Sequence, residues 1–493
     1  MVFPAGQNGR AGGGTYLPPR RLLAAAAWAA SWLLASSAWG AETGTGEGGA
    51  TLGARAAQIL TRAIRLESVN PPGDERPVAE YFVRLLRESG LEAKLVETPR
   101  GDSPVGRAAA WGRLPGSGKR RPLVLLSHLD VVAADPSGWE APPFAGTLRD
   151  GTVIGRGSLD AKGIAVVHLL AVSELARRGV TLKRDLLFLA TPDEESGGRD
   201  GAGYLAHERR DLLLDAEYVL TEGGGVRIGA QGGPSIWGVA VIEKTPCWMR
   251  VIARGTPGHS SAPPRDAAVP RLVAALDRVQ QLEHPIRVVP EVQRMFGALA
   301  RYAPPEDAHG YTDLATSLVA DPAFRSRFLA ERAHAALVRN TLTITVLKGA
   351  ASTNVLPREA SAHLDARLLP FERCDAFVDR VRQAVADSGV RVEALLSFRT
   401  RASSIDTPLY RAIRNVAAAT DPGAAIVPRM VAGFTDAHFF RDLGITSYGF
   451  VPRWHEAGEI RGIHGPDERI SLENLERGVQ TLVAILEELD RLD

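Results

Sequence analysis

The sequence predicts an α/β protein: a mostly parallel central sheet flanked by helices, interrupted by an inserted α+β domain. Three observations lead there. Strand-length apolar runs alternate with longer runs of helical period from about residue 55 onward. The middle of the chain instead reads strand–helix–strand–strand–helix–strand. Acidic and His residues also collect just after strand-like runs, where an open α/β sheet places its functional groups. With 493 residues, the chain is too long for one ordinary core, so two domains are expected.

The N-terminus reads "PPRRLLAAAAWAASWLLASSAWGAETG". A basic pair, Arg20 and Arg21, precedes an apolar run of about 15 residues, in the range of a signal h-region and short for a membrane span. Small residues follow, so residues 1–41 are predicted to be a signal peptide, with the mature chain starting near Ala41. The expected location is exported, periplasmic or secreted. The alternative is an uncleaved N-terminal anchor.

Beyond the leader, "RPLVLLSHLDVV" (121–132) reads as a buried strand and "AKGIAVVHLLAVSELARRG" (161–179) as a helix. "KRDLLFLATPDEE" (183–195) and "AEYVLTEGGG" (216–225) are further strands with polar ends, and "GITSYGFVP" (444–452) is another. In the middle, "CWMRVIARGTPGHSS" (247–261) is a strand ending in a Gly/Pro turn, and 267–283 is a helix. Residues 285–335 read as irregular, with several Pro and aromatic residues. Two strands, a helix (375–389) and a last strand (390–398) complete a ferredoxin-like order. The predicted division is a catalytic domain in two parts, 42–239 and 401–493, with the insertion at 240–400.

Composition excludes some classes. Hydrophobic content of 45% and charged content of 23% are those of a globular protein. The formal net charge of +1 offers no reason to expect nucleic acid. With only Cys247 and Cys374, a thiolate metal cage is excluded; one disulfide is open to the chain, though nothing in the spacing demands it.

The chemistry is carried by residues at the strand ends and in the loops beyond them. "SHLD" places His128 and Asp130 on one face of an extended segment. "GRGSLDAKG" sets Asp160 before a helix, "PDEES" supplies Glu194 and Glu195, "TEGG" supplies Glu222, and "IHGPDERI" supplies His464 in a loop. Imidazole plus carboxylate without thiolate suits zinc, with cobalt or manganese as substitutes. Two zinc ions about 3.5–4 Å apart can share one carboxylate and one water. His128, Asp160, Glu195, Glu222 and His464 would hold them, with Asp160 shared. Glu194 is then left as general base, and Asp130 as the partner that orients the His128 ring. Three adjacent acids are tolerated, on this reading, because metal charge compensates them.

These motifs, with "GTPGHSSAPP" and "STNVLPREASAHLDARLLP", resemble the dizinc aminoacylase/carboxypeptidase metallopeptidases over about residues 55–490. The stretch at 285–335 and "GHSSAPP" look most like the carboxypeptidase S and N-fatty-acyl-amino-acid synthase/hydrolase branch. The resemblance implies a zinc aminopeptidase-like catalytic domain with a lid and dimerisation domain inserted in it. It implies that His259 polarises the scissile carbonyl, often across a homodimer, and that Asn354 and Arg367 hold the substrate carboxylate or the oxyanion. A cis peptide between Asp160 and Ala161 is implied as well. Where the family often shows "TD-x-R", this chain has "FTDAHFF", so His438 stands at a substrate-binding position, with Arg441 one turn on.

The expected function is zinc-dependent hydrolysis of amide bonds in N-acyl amino acids or short peptides with a free carboxylate. A metal-bridging hydroxide would attack, and Glu194 would serve as base. The reverse condensation is open when products are concentrated. The alternatives are a catalytically silent zinc-binding or interaction protein on this fold, and a deacetylase- or desuccinylase-type biosynthetic hydrolase. The silent reading requires loss of the base or a ligand, and all are present. The biosynthetic reading fits cytosolic substrates, against the leader.

Overall fold

The computed structural model describes residues 50–229, 234–455 and 462–493. The leader read at 1–41 lies outside them.

Four parallel strands form the centre of a ten-stranded sheet, in the order Leu186–Thr191, Leu123–His128, Tyr218–Thr221, Thr446–Gly449. Every residue of the first two is buried, as their unbroken apolar runs require of strands covered on both faces. Alternation sorts those residues between two cores. Leu123, Leu125, Leu186 and Phe188 face one core, built with the helices Leu52–Arg65, Lys162–Arg177 and Leu472–Leu492. Val124, Leu126, Leu187 and Leu189 face another, with Leu205, Leu212 and Phe440. The flanks of the sheet are mixed. Ala108–Leu114 runs antiparallel to Leu186–Thr191, and Ile236–Glu243 antiparallel to Thr446–Gly449.

The inserted sheet is a separate antiparallel unit of four strands, ordered Thr341–Lys348, Glu359–Leu368, Thr245–Arg254, Val390–Ser397. In chain order that is second, third, first, fourth, the ferredoxin-like arrangement. Its own core joins Met249, Val251 and Leu364 to Leu272 and Leu276 of the helix Ala268–Gln280 and to Phe377 and Val381 of the helix Cys374–Val385. A Cys247–Cys374 disulfide ties strand to helix.

The stretch expected to be irregular is not. Residues 290–338 form five short helices, Pro290–Leu299, Pro305–Thr312, Leu314–Ala320, Pro322–Ala330 and Arg332–Val338. The prolines that read as breaks stand at the first position of three of them, where a missing N–H costs nothing. Asp313 and Asp321 cap two of the starts through their side chains. These helices lie within 240–400, yet Val292, Phe296, Leu314, Leu318, Phe324 and Phe328 pack into the large core of the main sheet. The chain thus leaves the inserted sheet, returns to the main domain, and goes back. Buried Lys244, between the two sheets, donates to the carbonyls of Ala336 and Arg339 at 3.0 and 2.9 Å, at the end of the last short helix.

Candidate active site

Parallel strands bring their carboxyl ends to one edge, and the predicted residues meet there. His128 closes its strand and pairs in register with Thr191 of the neighbouring strand. Three residues after Thr191 the chain reaches Glu194, and Glu222 directly follows Thr221. Asp160 sits at the mouth of the helix Lys162–Arg177, and its peptide bond to Ala161 is cis. His464 arrives from a late loop.

The two His rings divide one carboxylate between them. His128 Nε2 lies 3.0 Å from Asp160 Oδ1, and His464 Nε2 lies 3.2 Å from Asp160 Oδ2. His464 Nε2 is also 3.2 Å from Glu195 Oε1, and His128 Nε2 is 3.7 Å from Glu222 Oε1. Glu194, with His128 and Glu222, offers oxygen and nitrogen atoms within 4.8 Å of one another, as do His128, Asp160 and Glu195.

The donor set fits divalent metal. His128 Nδ1 faces the Asp130 carbonyl at 3.0 Å, which makes it the donor and leaves the Nε2 lone pair aimed at Asp160. A lone pair and a carboxylate oxygen at that separation need a cation between them. Protons answer the same demand. Hydrogen bonds to Asp160 and Glu195 push His464 up to about 10. Burial lowers His128, but Glu222, Asp130 and Asp160 together raise it well above its usual value. Against burial, hydrogen bonds from His128 and His464 hold Asp160 below the usual carboxylate range. A divalent ion would displace those protons.

The three consecutive acids have three different surroundings. Glu195 faces His464. Glu194 is buried, and burial together with the Glu222 charge pushes its carboxyl up. Asp193 turns away from this cluster to Arg107. Compensation of that third charge is therefore by a guanidinium, not by metal as expected from sequence. Asp130 does more than orient His128: its carboxylate accepts the backbone N–H of Glu194 at 3.2 Å and of Glu195 at 3.0 Å. Gly197 and Gly198 close the turn at φ +107° and +69°. A Cβ on Gly198 would lie 2.1 Å from Asp436 Oδ1, so only glycine lets the turn pass.

Other predicted residues lie on the insertion or beside it. His259 is exposed, and its Nδ1 contacts Ser261 Oγ at 2.8 Å and Ser261 N at 3.2 Å, which leaves Nε2 to carry the proton. Its short strand, Gly258–His259, pairs with Val355–Leu356, which brings Asn354 alongside. Arg367 makes a two-point contact with Asp365 at 2.7 and 2.9 Å and stands over the Phe434 ring. His438 is 1% exposed, donates from Nδ1 to the Thr435 carbonyl, and stacks on Phe398. Burial pushes it down to about 3, so the ring is neutral and offers no cation to a carboxylate. Arg441 is buried against Glu243 at 2.9 Å.

Sequence reasoning missed Glu468. It is fully buried, accepts from the N–H groups of Gly157, Leu159 and Asp160, and binds Arg156 at 2.6 Å, so it shapes the loop that presents Asp160. It lies inside the motif "IHGPDERI", but an acid in a loop carries no sign of burial. Asp436, which accepts from Thr191 Oγ1 at 3.0 Å beneath the strand ends, likewise lies inside the motif "FTDAHFF".

An α/β sheet with a His and carboxylate cluster at its carboxyl edge, and a ferredoxin-like insertion, is the build of a metal-dependent hydrolase. The chain belongs to Peptidase family M20/M25/M40, whose sequence model matches residues 124–488. It is 30% identical to N-fatty-acyl-amino acid synthase/hydrolase PM20D1 of Xenopus tropicalis over 383 residues, 75% of this chain and 72% of the relative. It is 26% identical to aminoacylase-1 of Sus scrofa over 438 residues, 87% of this chain and 94% of the relative. Among solved structures it resembles the M20 family metallo-carboxypeptidase Sso-CP2 from Sulfolobus solfataricus, with a TM-score of 0.70 and 18% identity over 88% of this chain and 99% of that one. Human carnosine dipeptidase 1 is similar too, with a TM-score of 0.65 and 16% identity over 89% and 97%. The protein is a hydrolase of amide bonds, and its family implies a divalent metal.

Proposed function

We propose that this enzyme is a zinc-dependent hydrolase of N-acyl amino acids or of the C-terminal residues of short peptides, with two ions held by His128, Asp160, Glu195, Glu222 and His464. The observation that carries the reading is the division of Asp160 between His128 and His464, one oxygen to each ring. Bound zinc would supply Lewis acidity toward a carbonyl oxygen and toward water. The rest is done by side chains. Glu194 takes a proton from the attacking water and returns it to the leaving amine. Its raised affinity for a proton suits both halves of that task. His259, protonated at Nε2, donates to the carbonyl oxygen as it gains charge. Arg367 and Asn354 hold the substrate carboxylate, and hydrolysis runs backward when acid and amine are concentrated.

The reading extends to place and assembly. Export is supported by the Cys247–Cys374 disulfide, because such bonds persist in oxidising compartments. A homodimer through the insertion is supported by its edge strand Thr341–Lys348, where Leu347 is 67% exposed. The test is a panel of N-acyl amino acids and dipeptides incubated with zinc-loaded protein, scored by release of free amine. Release from none of them would end the proposal.

A further inference from the structure

The ligands and Glu194 leave unexplained a buried cluster on the far side of Asp130. Arg107, the residue before the strand Ala108–Leu114, is 5% exposed. Its guanidinium donates to the Asp193 carboxylate, to Asn70 Oδ1 at 2.7 Å and to the Pro72 carbonyl at 3.0 Å. It stands 3.8 Å from Glu75, which is fully buried. A Cβ on Gly73 would lie 2.3 Å from Nη2, so the chain wraps the guanidinium closely.

From this cation two routes lead to the acidic turn. Because Arg107 occupies Asn70 Oδ1, the Asn70 amide nitrogen faces Asp130 Oδ2 at 2.8 Å and Asp193 Oδ1 at 3.4 Å. Asp130 in turn accepts the N–H groups of Glu194 and Glu195. Asp193 has φ +79°, a left-handed backbone that a non-glycine residue keeps only when its surroundings hold it. Its carboxylate, clasped by Arg107, accepts from Asp200 N at 2.8 Å, and its carbonyl accepts from Ser196 N and Gly198 N. Glu75, Asp130 and Asp193 are three buried carboxylates around one guanidinium. Remove its charge or its fork and like charges repel across the turn.

We infer that Arg107 is a positioning residue: through Asp193 and Asn70 it holds Glu194 and Glu195 in place at the ligand cluster. This rests on the roles proposed above for Glu194 and Glu195. Lysine cannot replace it, because one ammonium lacks the planar fork that reaches Asp193, Asn70 and Pro72 together.

The experiment compares full-chain wild type with Arg107→Lys and Asp193→Asn. It uses three readouts: hydrogen exchange of metal-free protein, zinc affinity, and kcat with KM. In both variants, exchange across residues 192–200 should quicken while the strand Leu186–Thr191 keeps its protection. Zinc affinity should weaken by about 10–100-fold, the usual cost of losing a residue that orients a ligand. Turnover should decrease by about tenfold or more with KM nearly unchanged, because the misplaced group acts on the proton rather than on substrate binding. Asp193→Asn keeps side-chain shape and decides the matter if Arg107→Lys does not fold. Unchanged local exchange and zinc affinity in the folded variants would overturn the inference. So would equal loosening of the strand and the turn, which would make Arg107 a general stabiliser. A wild type that binds zinc yet cleaves nothing overturns the proposed function instead, and exchange and zinc affinity still decide the role of Arg107.

Discussion

Asp193, Glu194 and Glu195 are consecutive carboxylates in three surroundings, and their chemistry is set by those surroundings rather than by residue type. Glu194→Gln keeps shape and hydrogen-bonding length while removing the base. It should retain metal and lose turnover by about 10²–10⁴-fold; a decrease below about tenfold, with metal content measured alongside, would remove Glu194 from that role. A second consequence at this scale comes from buried imidazoles. His168, fully buried on the helix Lys162–Arg177, has no hydrogen-bond partner for either ring nitrogen among the described residues, and burial pushes it down to about 3. Below its ordinary value of 6.5 the unfolded chain binds a proton there that the folded protein refuses. Stability is therefore lost as pH falls from 6.5 toward 3, by up to roughly 4–5 kcal/mol for a shift of that size. Denaturant melts at pH 7 and pH 4 should show a smaller acid loss in His168→Leu than in wild type. Equal losses would mean that the ring is protonated in the fold.

Among elements, the inserted sheet depends on packing that a period-based reading follows well, and on one covalent tie that such a reading leaves open. Cys247 on the strand Thr245–Arg254 and Cys374 at the start of the helix Cys374–Val385 are both buried and bonded. Replacing both by Ala should lower stability by about 2–4 kcal/mol, because the bond restricts the unfolded chain across a sequence separation of 127. Thiol titration of denatured, unreduced protein from an oxidising host should find no free thiol; two free thiols there would refute the bond. The five short helices at 290–338 show why the neighbouring stretch reads as irregular. Each is too short to display a helical period, and the prolines that begin three of them look like breaks until they are seen at the first helical position.

For the whole molecule, the question is whether His259, on the short strand Gly258–His259 beside the inserted sheet, reaches a cluster carried by the main sheet and its loops. The chain crosses between the two more often than a simple insertion would. Residues 290–338 pack on the main core, and Lys244 is bonded to the end of that helical stretch. His259→Ala should lower kcat by about 10²–10³-fold with metal content unchanged, as loss of an oxyanion donor does. If the donor acts across a dimer, mixing inactive His259→Ala with inactive Glu194→Gln should restore activity, since a hybrid contains one intact composite site. Hybrids that form and stay silent would exclude supply in trans. Full activity of His259→Ala alone would make it a plain loop residue.

The sequence by itself determined the fold class, because strand and helix periods are local, and which His and carboxylate residues gather at the sheet edge. His128, Asp160, Glu195, Glu222 and His464 each stand beside a readable element, and parallel strands necessarily bring such ends to one edge. It did not determine which charges neutralise which. Arg107, Asn70 and Glu468 are invisible as site residues, and Asp193 reads as compensated by metal, because burial and pairing over 60 to 312 positions are not written in any local pattern. His438 looked like a cation for a carboxylate, and only packing under Phe398, with its ring taken out of water, makes it neutral. Local periodicity reports hydrophobic faces; the charge state of a buried group depends on what surrounds it in three dimensions, and that is decided only when the chain has folded.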